Sequence, residues 1–386
     1  MKIIFWTSLL GVVYAYFLYP ALLAVLARLA ARPRLPVPAS EQGPQTVSMV
    51  IPVHNEERVL PAKLDNLAAL DYPPDRLQVV FVSDGSTDGT LKLLHDAAPN
   101  LPFRLSVVEV PERAGKAHAL NTGLEAADGR IIVFTDASIL LEPGAVSALL
   151  RPFADPRVGC VSGEDHIAGG AGEGLYGRYE LYLRNQESAV ASIVGASGSF
   201  YAQRRDLVQP FQPGLAPDFL SVLNTVEQGY RALTEPAARG HMTAVARPEQ
   251  EFQRKVRTLL RGIATLFAKP ALLNPLRYGR FAWLLLSHKL VRWLVPFMLI
   301  AAILSNLALA DRGGYGVLLA LQIGFYALAA LAYRGVAGLQ DTAPGRVALF
   351  FVMVNAAILV AWIRYLKGER QELWTPSERS VIKGAP

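Results

Sequence analysis

The sequence predicts an α/β domain with a mostly parallel, Rossmann-like sheet, joined to transmembrane α-helices. In the middle of the chain, continuous apolar runs alternate with helical patterns. Strands buried on both faces read this way, and their alternation with helices makes a parallel sheet. Charge-free stretches of near-spanning length lie at 3–27, 293–310, 313–333 and 347–363. Polar clusters fall just past the apolar runs, where open α/β sheets bind ligands.

Of 386 residues, 52% are hydrophobic and 18% are charged. Soluble domains average about 45–50% apolar and about 25% charged. The chain is therefore too apolar for an ordinary soluble protein or for disorder. A single cysteine, Cys160, excludes an intramolecular disulfide framework and a multi-cysteine zinc site. The net charge of +6 concentrates at membrane flanks, so no nucleic-acid partner is expected.

Residues 1–31 read as an anchor, because a membrane helix needs about 20 apolar residues and a signal-peptide core only about 7–15. A cleaved signal is the alternative. Residues 32–44 are a linker rich in Pro and Ala. The domain spans 45–255. Its predicted strands are Val47–Val53, Leu77–Ser83, Leu105–Val110, Ile131–Thr135 and Val158–Ser162. Its predicted helices are Glu57–Leu70, Asp88–Ala97, Lys116–Ala127 and Pro143–Phe153. Interface helices follow over 256–292. Within them Ala271–Trp293 mixes Leu, Trp and Phe with Arg277, Arg280, His288, Lys289 and Arg292. That mixture predicts an amphipathic helix at the membrane surface or an extension of the second span. A transmembrane bundle (293–366) and a tail (367–386) complete the chain. Trp6, Trp283, Trp293 and Trp362 stand near the ends of apolar runs, as an interfacial belt does.

Basic flanks set orientation. Arg28, Arg32 and Arg34 follow the first span, and Lys289 and Arg292 precede the second, so the domain is expected in the cytoplasm. The tail carries Arg364, Lys367, Arg370, Arg379 and Lys383 and asks for the same side. Full crossings by every C-terminal stretch would place it outside. Either one stretch is re-entrant or interfacial, or the rule fails.

The chemistry-bearing residues sit past the strands. Pro52, His54, Asn55, Glu56 and Glu57 follow the first. Asp84-Gly85-Ser86-Thr87-Asp88-Gly89-Thr90 follows the second and also suits a turn capped by Asp88 or Thr87. Gly115-Lys116-Ala117 places an ammonium at a helix start, which is a good anion site. Asp136 follows the fourth strand and suits a divalent cation that holds a diphosphate, or a helix cap. His54 and His166 read as pocket or surface residues. Arg254, Arg257 and Arg261 share one helical face, which suits either a diphosphate or a membrane surface. The segment after the first strand, PVHNEE, lacks the Gly-x-Gly-x-x-Gly of a dinucleotide-binding oxidoreductase.

The strings PVHNEE, SDGSTDGT, GKAHALN and FTDAS, in this order and spacing, closely resemble the family 2 inverting glycosyltransferases. The resemblance continues through VGCVSGE (158–164), Gly195–Phe200, Pro217-Asp218-Phe219, Gly229-Tyr230-Arg231 and Glu251–Arg257. Ser287-His288-Lys289 and Trp374-Thr375-Pro376 with Arg379 extend it across about 45–380. It implies a GT-A fold and transfer of a sugar from a nucleotide diphosphate to a hydroxyl, with inversion. It implies that Pro52, His54, Glu56 and Asp84 line the pocket of a UDP-sugar. Lys116, Arg254 and Arg257 would contact the nucleotide or diphosphate. Asp136 would bind donor and Mg²⁺ or Mn²⁺. Asp218 would be the general base, ionised without any large shift of its pKa.

The chain departs from the pattern at three places. Ala137-Ser138 replaces the second acid of the metal motif. Pro217 stands where an acid usually precedes the base. Gln253 and Arg257 have one extra residue between them relative to the Gln-x-x-Arg-Trp motif, and its Trp is missing. The resulting expectation is a membrane-embedded, cation-dependent hexosyltransferase extending a cell-surface polysaccharide. It would face the cytoplasm of a bacterial inner membrane, among membrane lipids, with an export or synthase partner. Transfer of one sugar to a lipid acceptor is the alternative, and a non-catalytic scaffold of a synthase complex is a further one.

Overall fold

The computed structural model describes residues 1–30, 45–168, 171–243 and 248–373. The linker expected at 32–44 and the motif at Trp374–Arg379 lie outside the described residues.

The charge-free N-terminal stretch forms one long helix. It runs through α1 (Lys2–Val13), a π-turn at Tyr14–Leu18, and α2 (Tyr19–Leu29). The α/β domain follows as β1 (Val47–Val53), α3 (Leu60–Ala68), β2 (Leu77–Asp84), α4 (Thr90–Ala97) and β3 (Arg104–Val110). Next come α5 (Lys116–Ala126), β4 (Ile131–Thr135), the short β5 (Leu140–Leu141) and α6 (Ala145–Leu150). The domain continues with β6 (Val158–Ala168), α7 (Ala171–Val190), β7 (Phe200–Arg204), α8 (Pro217–Glu227) and β8 (Arg231–Thr243). Then α9 (Pro248–Ala268) leads to α10 (Pro275–Leu285), α11 (Arg292–Leu307), α12 (Tyr315–Tyr333) and α13 (Ala343–Leu366).

The sheet order is β3-β2-β1-β4-β7-β6-β8-β5. β1 pairs in parallel with β2 and β4, and β2 with β3. β7 lies antiparallel between β4 and β6, while β6 and β8 run parallel. β1, β2 and β4 are buried along their whole lengths, which is why they read as unbroken apolar runs. One core layer packs α3, α4 and α6 on one face of the sheet, and smaller clusters fill the other.

Several boundaries differ from the sequence reading. The helix expected from Glu57 starts at Leu60, and the one expected from Asp88 starts at Thr90. The acidic residues before them are used as turn ligands instead. Asp88 Oδ1 accepts Thr90 N–H at 3.0 Å, and its Oδ2 accepts Glu57 N–H at 3.2 Å. The helix expected over Pro143–Phe153 is α6 followed by a 3₁₀ turn at Arg151–Ala154. β6 continues past Ser162 to Ala168 because β8 gives it a second partner. α9 runs unbroken across residues 255 and 256. α10 breaks at Gly279, φ +52°, and after that kink passes through a π-turn at Leu286–Val291 into α11, so only the later part of the Ala271–Trp293 interval extends the second span, while its start is a 3₁₀ turn at Pro270–Leu273.

Among the described residues, four helices are long and apolar enough to cross a membrane: Lys2–Leu29, Pro275–Leu307, Tyr315–Tyr333 and Ala343–Leu366. α1 packs against α11, with Gly11 facing Met298. Tyr315, at the start of α12, meets Phe5 and Trp6 at the end of that pair far from the sheet. α13 behaves differently. Its Phe350 lies 5.2 Å from Lys255 Nζ and its Tyr365 stacks on Phe267, so it runs alongside the charged helix α9.

Candidate active site

The loops after β1 and β2 are tied together before any ligand enters. Asn55, with φ +53°, accepts Thr87 N–H at 2.8 Å, and Glu56 N–H donates to Thr90 Oγ1 at 2.9 Å. His54 Nδ1 lies 2.6 Å from the Asp84 carbonyl oxygen. Asp84 ends β2 and is fully buried. Its carboxylate accepts Ala114 N–H at 2.7 Å and Gly115 N–H at 2.9 Å. Gly115 has φ +92°, which suits glycine, and it turns the chain so that Lys116 opens α5.

Lys116 Nζ pairs with Asp136 Oδ1 at 2.7 Å. The cation and the acid expected at a diphosphate thus hold each other. The Asp136 loop is supported from beneath by Lys63. This residue is fully buried and donates to Ile139 O at 2.7 Å and to Thr135 Oγ1 at 3.4 Å. Burial pushes the Lys63 ammonium down to about 7, against the pull of Asp136. Lys63 falls on the same helical face as Leu60, Leu64 and Leu67, all buried. A lysine inside an apolar stripe is a signal that the sequence reading did not use.

Asp218 lies in the first turn of α8, directly after Pro217. Proline is favoured at a helix start because its missing N–H is not needed there, which accounts for that departure from the family pattern. Burial pushes the Asp218 carboxyl up from its ordinary value, while Lys116 and Lys289 oppose the shift. Burial likewise raises Glu56, to about 7, and Asp136 and Asp88 add to the effect.

Glu56, Lys116, Asp136, Asp218, Arg254 and Arg257 line one cavity of about 450 Å³. Pro52 lines a smaller recess beside Asp136 and Asp218. His54 and Asp84 stand behind the Gly115 turn and line neither cavity. Arg254 is tied to Glu251 by hydrogen bonds of 2.7 and 2.9 Å. Arg261 donates to Gln371 O at 3.0 Å, so the chain after α13 returns over this site.

Among the described residues no group of three or more His, Cys, Asp or Glu side chains forms a metal cluster. Among the carboxylates that line the cavity, Glu56 and Asp136 are near enough to interact electrostatically and are oxygen donors of the kind that suits a hard cation completed by phosphate and water. His166 approaches Glu164 at 3.4 Å and stands outside this group.

The cavity reaches the membrane helices. Its far wall carries Glu180, Arg184 and Glu187 of α7, His288 and Lys289 of the π-turn, and Val354 and Ile358 of α13. The sequence reading missed the α7 residues, because their partners lie far along the chain. The nearest signal was the Ser287-His288-Lys289 string.

Comparison with known proteins bears on this geometry. Residues 48–209 match the family described as Glycosyl transferase family 2. A Bacillus subtilis protein named Probable glycosyltransferase YdaM is 35% identical over 128 residues, which is 32% of this chain and 30% of that one. A Staphylococcus epidermidis poly-beta-1,6-N-acetyl-D-glucosamine synthase is 27% identical over 132 residues, which is 34% of this chain and 31% of that one. The chain therefore spans about a third of the length of these curated relatives. A solved mannosyltransferase from Pyrobaculum calidifontis, in complex with GDP-Man and Mn²⁺, is 26% identical with a TM-score of 0.72. That likeness covers 95% of this chain and 100% of the other.

Proposed function

Because residues 48–209 match the glycosyl transferase family 2 model and the fold is shared with a solved mannosyltransferase, we propose that the protein moves a sugar from a nucleoside diphosphate to a hydroxyl, with inversion. The observation that carries this reading is the single cavity shared by Asp218, Lys116 and Asp136. Asp218 takes the proton of the acceptor hydroxyl. The freed oxygen attacks the anomeric carbon from the face opposite the diphosphate, whose oxygen leaves with the bonding electrons. Lys116, Arg254 and Arg257 stabilise the negative charge that develops there. Asp136, beside Glu56, would hold Mg²⁺ or Mn²⁺ together with the donor phosphates. That ion would supply further positive charge at the leaving group.

A UDP-sugar is the expected donor, but Asp84 is buried behind the Gly115 turn and does not itself select the base, and the Pyrobaculum relative is solved with GDP-Man. The donor panel must therefore include both. The relatives named as synthases favour a glycan acceptor, as in polysaccharide extension. The geometry favours an acceptor borne by the bilayer, because Val354 and Ile358 of an apolar helix close the cavity. The retained set of Asp84, Asp136 and Asp218 argues against a scaffold.

The test is nucleotide release by the purified, detergent-solubilised protein over UDP- and GDP-sugars, with and without Mg²⁺ or Mn²⁺. Cation-dependent release with one sugar is expected. Asp218→Asn is expected to lower turnover by a factor on the order of 10²–10⁴, as loss of a general base does, while nucleotide binding persists. Near-normal turnover in that variant would assign the proton to another group.

A further inference from the structure

The cavity wall nearest the membrane holds charged groups that the transfer step above does not use. His288 is buried on the π-turn between α10 and α11. Its Nδ1 lies 2.5 Å from Glu187 Oε1 and its Nε2 lies 3.1 Å from Glu180 Oε2. Glu180 also accepts from Arg292 Nη1 at 2.7 Å. Glu187 also accepts from the Tyr19 hydroxyl at 2.8 Å and from Val194 N–H at 3.3 Å. Both carboxylates of this wall are thus occupied by partners other than Lys289.

Lys289 lines the same cavity, with its Nζ 5.7 Å from the ring centroid of Phe219, the residue after Asp218. Among the described residues its ammonium has no hydrogen-bond or ion-pair partner. Among the described residues Arg184, also in the wall, donates only to Ser162 Oγ at 3.1 Å and Gly163 O at 3.2 Å. Cations lacking a carboxylate partner in a partly desolvated wall form an anion site. This one adjoins the carboxylate that would deprotonate the acceptor.

We propose that Lys289, backed by Arg184, binds a phosphate group carried by the acceptor next to its reacting hydroxyl. The chemical class is a hydroxyl-bearing anionic phospholipid headgroup. The lipid source follows from the surroundings, since Lys289 lies within the candidate span Pro275–Leu307 and Val354 and Ile358 share the cavity. In the reaction the hydroxyl oxygen bonds to the anomeric carbon and its proton goes to Asp218. The nucleoside diphosphate leaves with the bonding electrons, and the acceptor phosphate is unchanged. This inference rests on the glycosyltransferase reading and deepens it by naming the acceptor.

The experiment uses the full chain in phosphatidylcholine vesicles, with the donor found by the release panel. Phosphatidylglycerol, neutral diacylglycerol or soluble glycerol phosphate is added as acceptor. Phosphatidylglycerol is expected to accelerate nucleotide release and to yield a glycosylated lipid. Lys289→Gln is expected to raise the KM for that lipid about tenfold, the worth of one charge-assisted hydrogen bond. Lys289→Arg should restore most of the loss. Arg280→Gln, at an exposed position, should leave this KM unchanged. Equal use of diacylglycerol, or an equal effect of Arg280→Gln, would overturn the proposal by reducing it to membrane docking. Preference for glycerol phosphate would overturn the lipid source. Acceptor-free donor hydrolysis that phosphatidylglycerol does not stimulate would sink this inference alone. Absence of both nucleotide binding and release in the wild type would instead sink the glycosyltransferase reading.

Discussion

Asp84 shows how one residue serves both the fold and the site. Its carboxylate satisfies two backbone N–H groups at the Gly115 turn and has no contact with solvent. In Asp84→Asn one of those donors would face an NH₂ group. An unmet buried donor costs about 1–3 kcal/mol, so the solubilised variant should melt at lower temperature as well as bind nucleotide less well. An unchanged melting temperature would show that the turn does not depend on this carboxylate. Asp218 makes a prediction about pH. In the proposed role Asp218 would work only when ionised, and burial raises its pKa, so protonation would silence it at higher pH than an ordinary carboxylate. The acidic limb of kcat/KM should therefore lie above the usual carboxylate value of about 4. A limb at or below that value would contradict the shift. Asp84, Lys116 and Asp136 were legible because each stands at a strand or helix end, whereas Asp218 was marked only by the family resemblance. Glu187 was not, because what gives it meaning is Tyr19 and His288, more than a hundred residues away in sequence.

The helix α3 carries the clearest consequence at the scale of elements. Lys63→Met keeps most of the side-chain volume but removes the donor to Ile139 O. The expected cost is about 1–3 kcal/mol. The expected functional effect is weaker Mn²⁺-dependent donor binding, because the loop bearing Asp136 loses its support. Calorimetry and nucleotide titration would check both, and wild-type behaviour in each would deny the supporting role. The strands legible in the sequence were those buried on both faces. β8 was missed because its buried positions alternate irregularly with exposed ones and its register to β6 is broken by bulges. β7 was missed for another reason. It is five residues long and takes its place from partners on either side rather than from its own pattern.

For the whole molecule, the conflict over the basic tail finds a physical answer in α13. This helix is apolar enough to span, yet Phe350 meets Lys255 and Tyr365 meets Phe267 on the charged helix α9. From this packing we infer that α13 stays at the face of the membrane occupied by the domain, with its other side against α12 and α11. The chain then turns at Gly368, φ +81°, and comes back to Arg261. Lys367→Cys and Asp96→Cys are thus expected to react with a membrane-impermeant maleimide from the same side of sealed vesicles. Cys160 is buried and should stay silent. Labelling from opposite sides would restore α13 as a full crossing.

The walls of the cavity come from residues as far apart as Glu56 and Ile358. A nascent chain that has released only its α/β domain from the ribosome holds Asp218, Lys116 and the Asp136 loop, but no floor beneath them. The floor arrives with α13, after α11 and α12 have left the ribosome. Completion of the pocket is therefore coupled to synthesis of the C-terminal helices, and a half-made chain should be inactive in the proposed transfer.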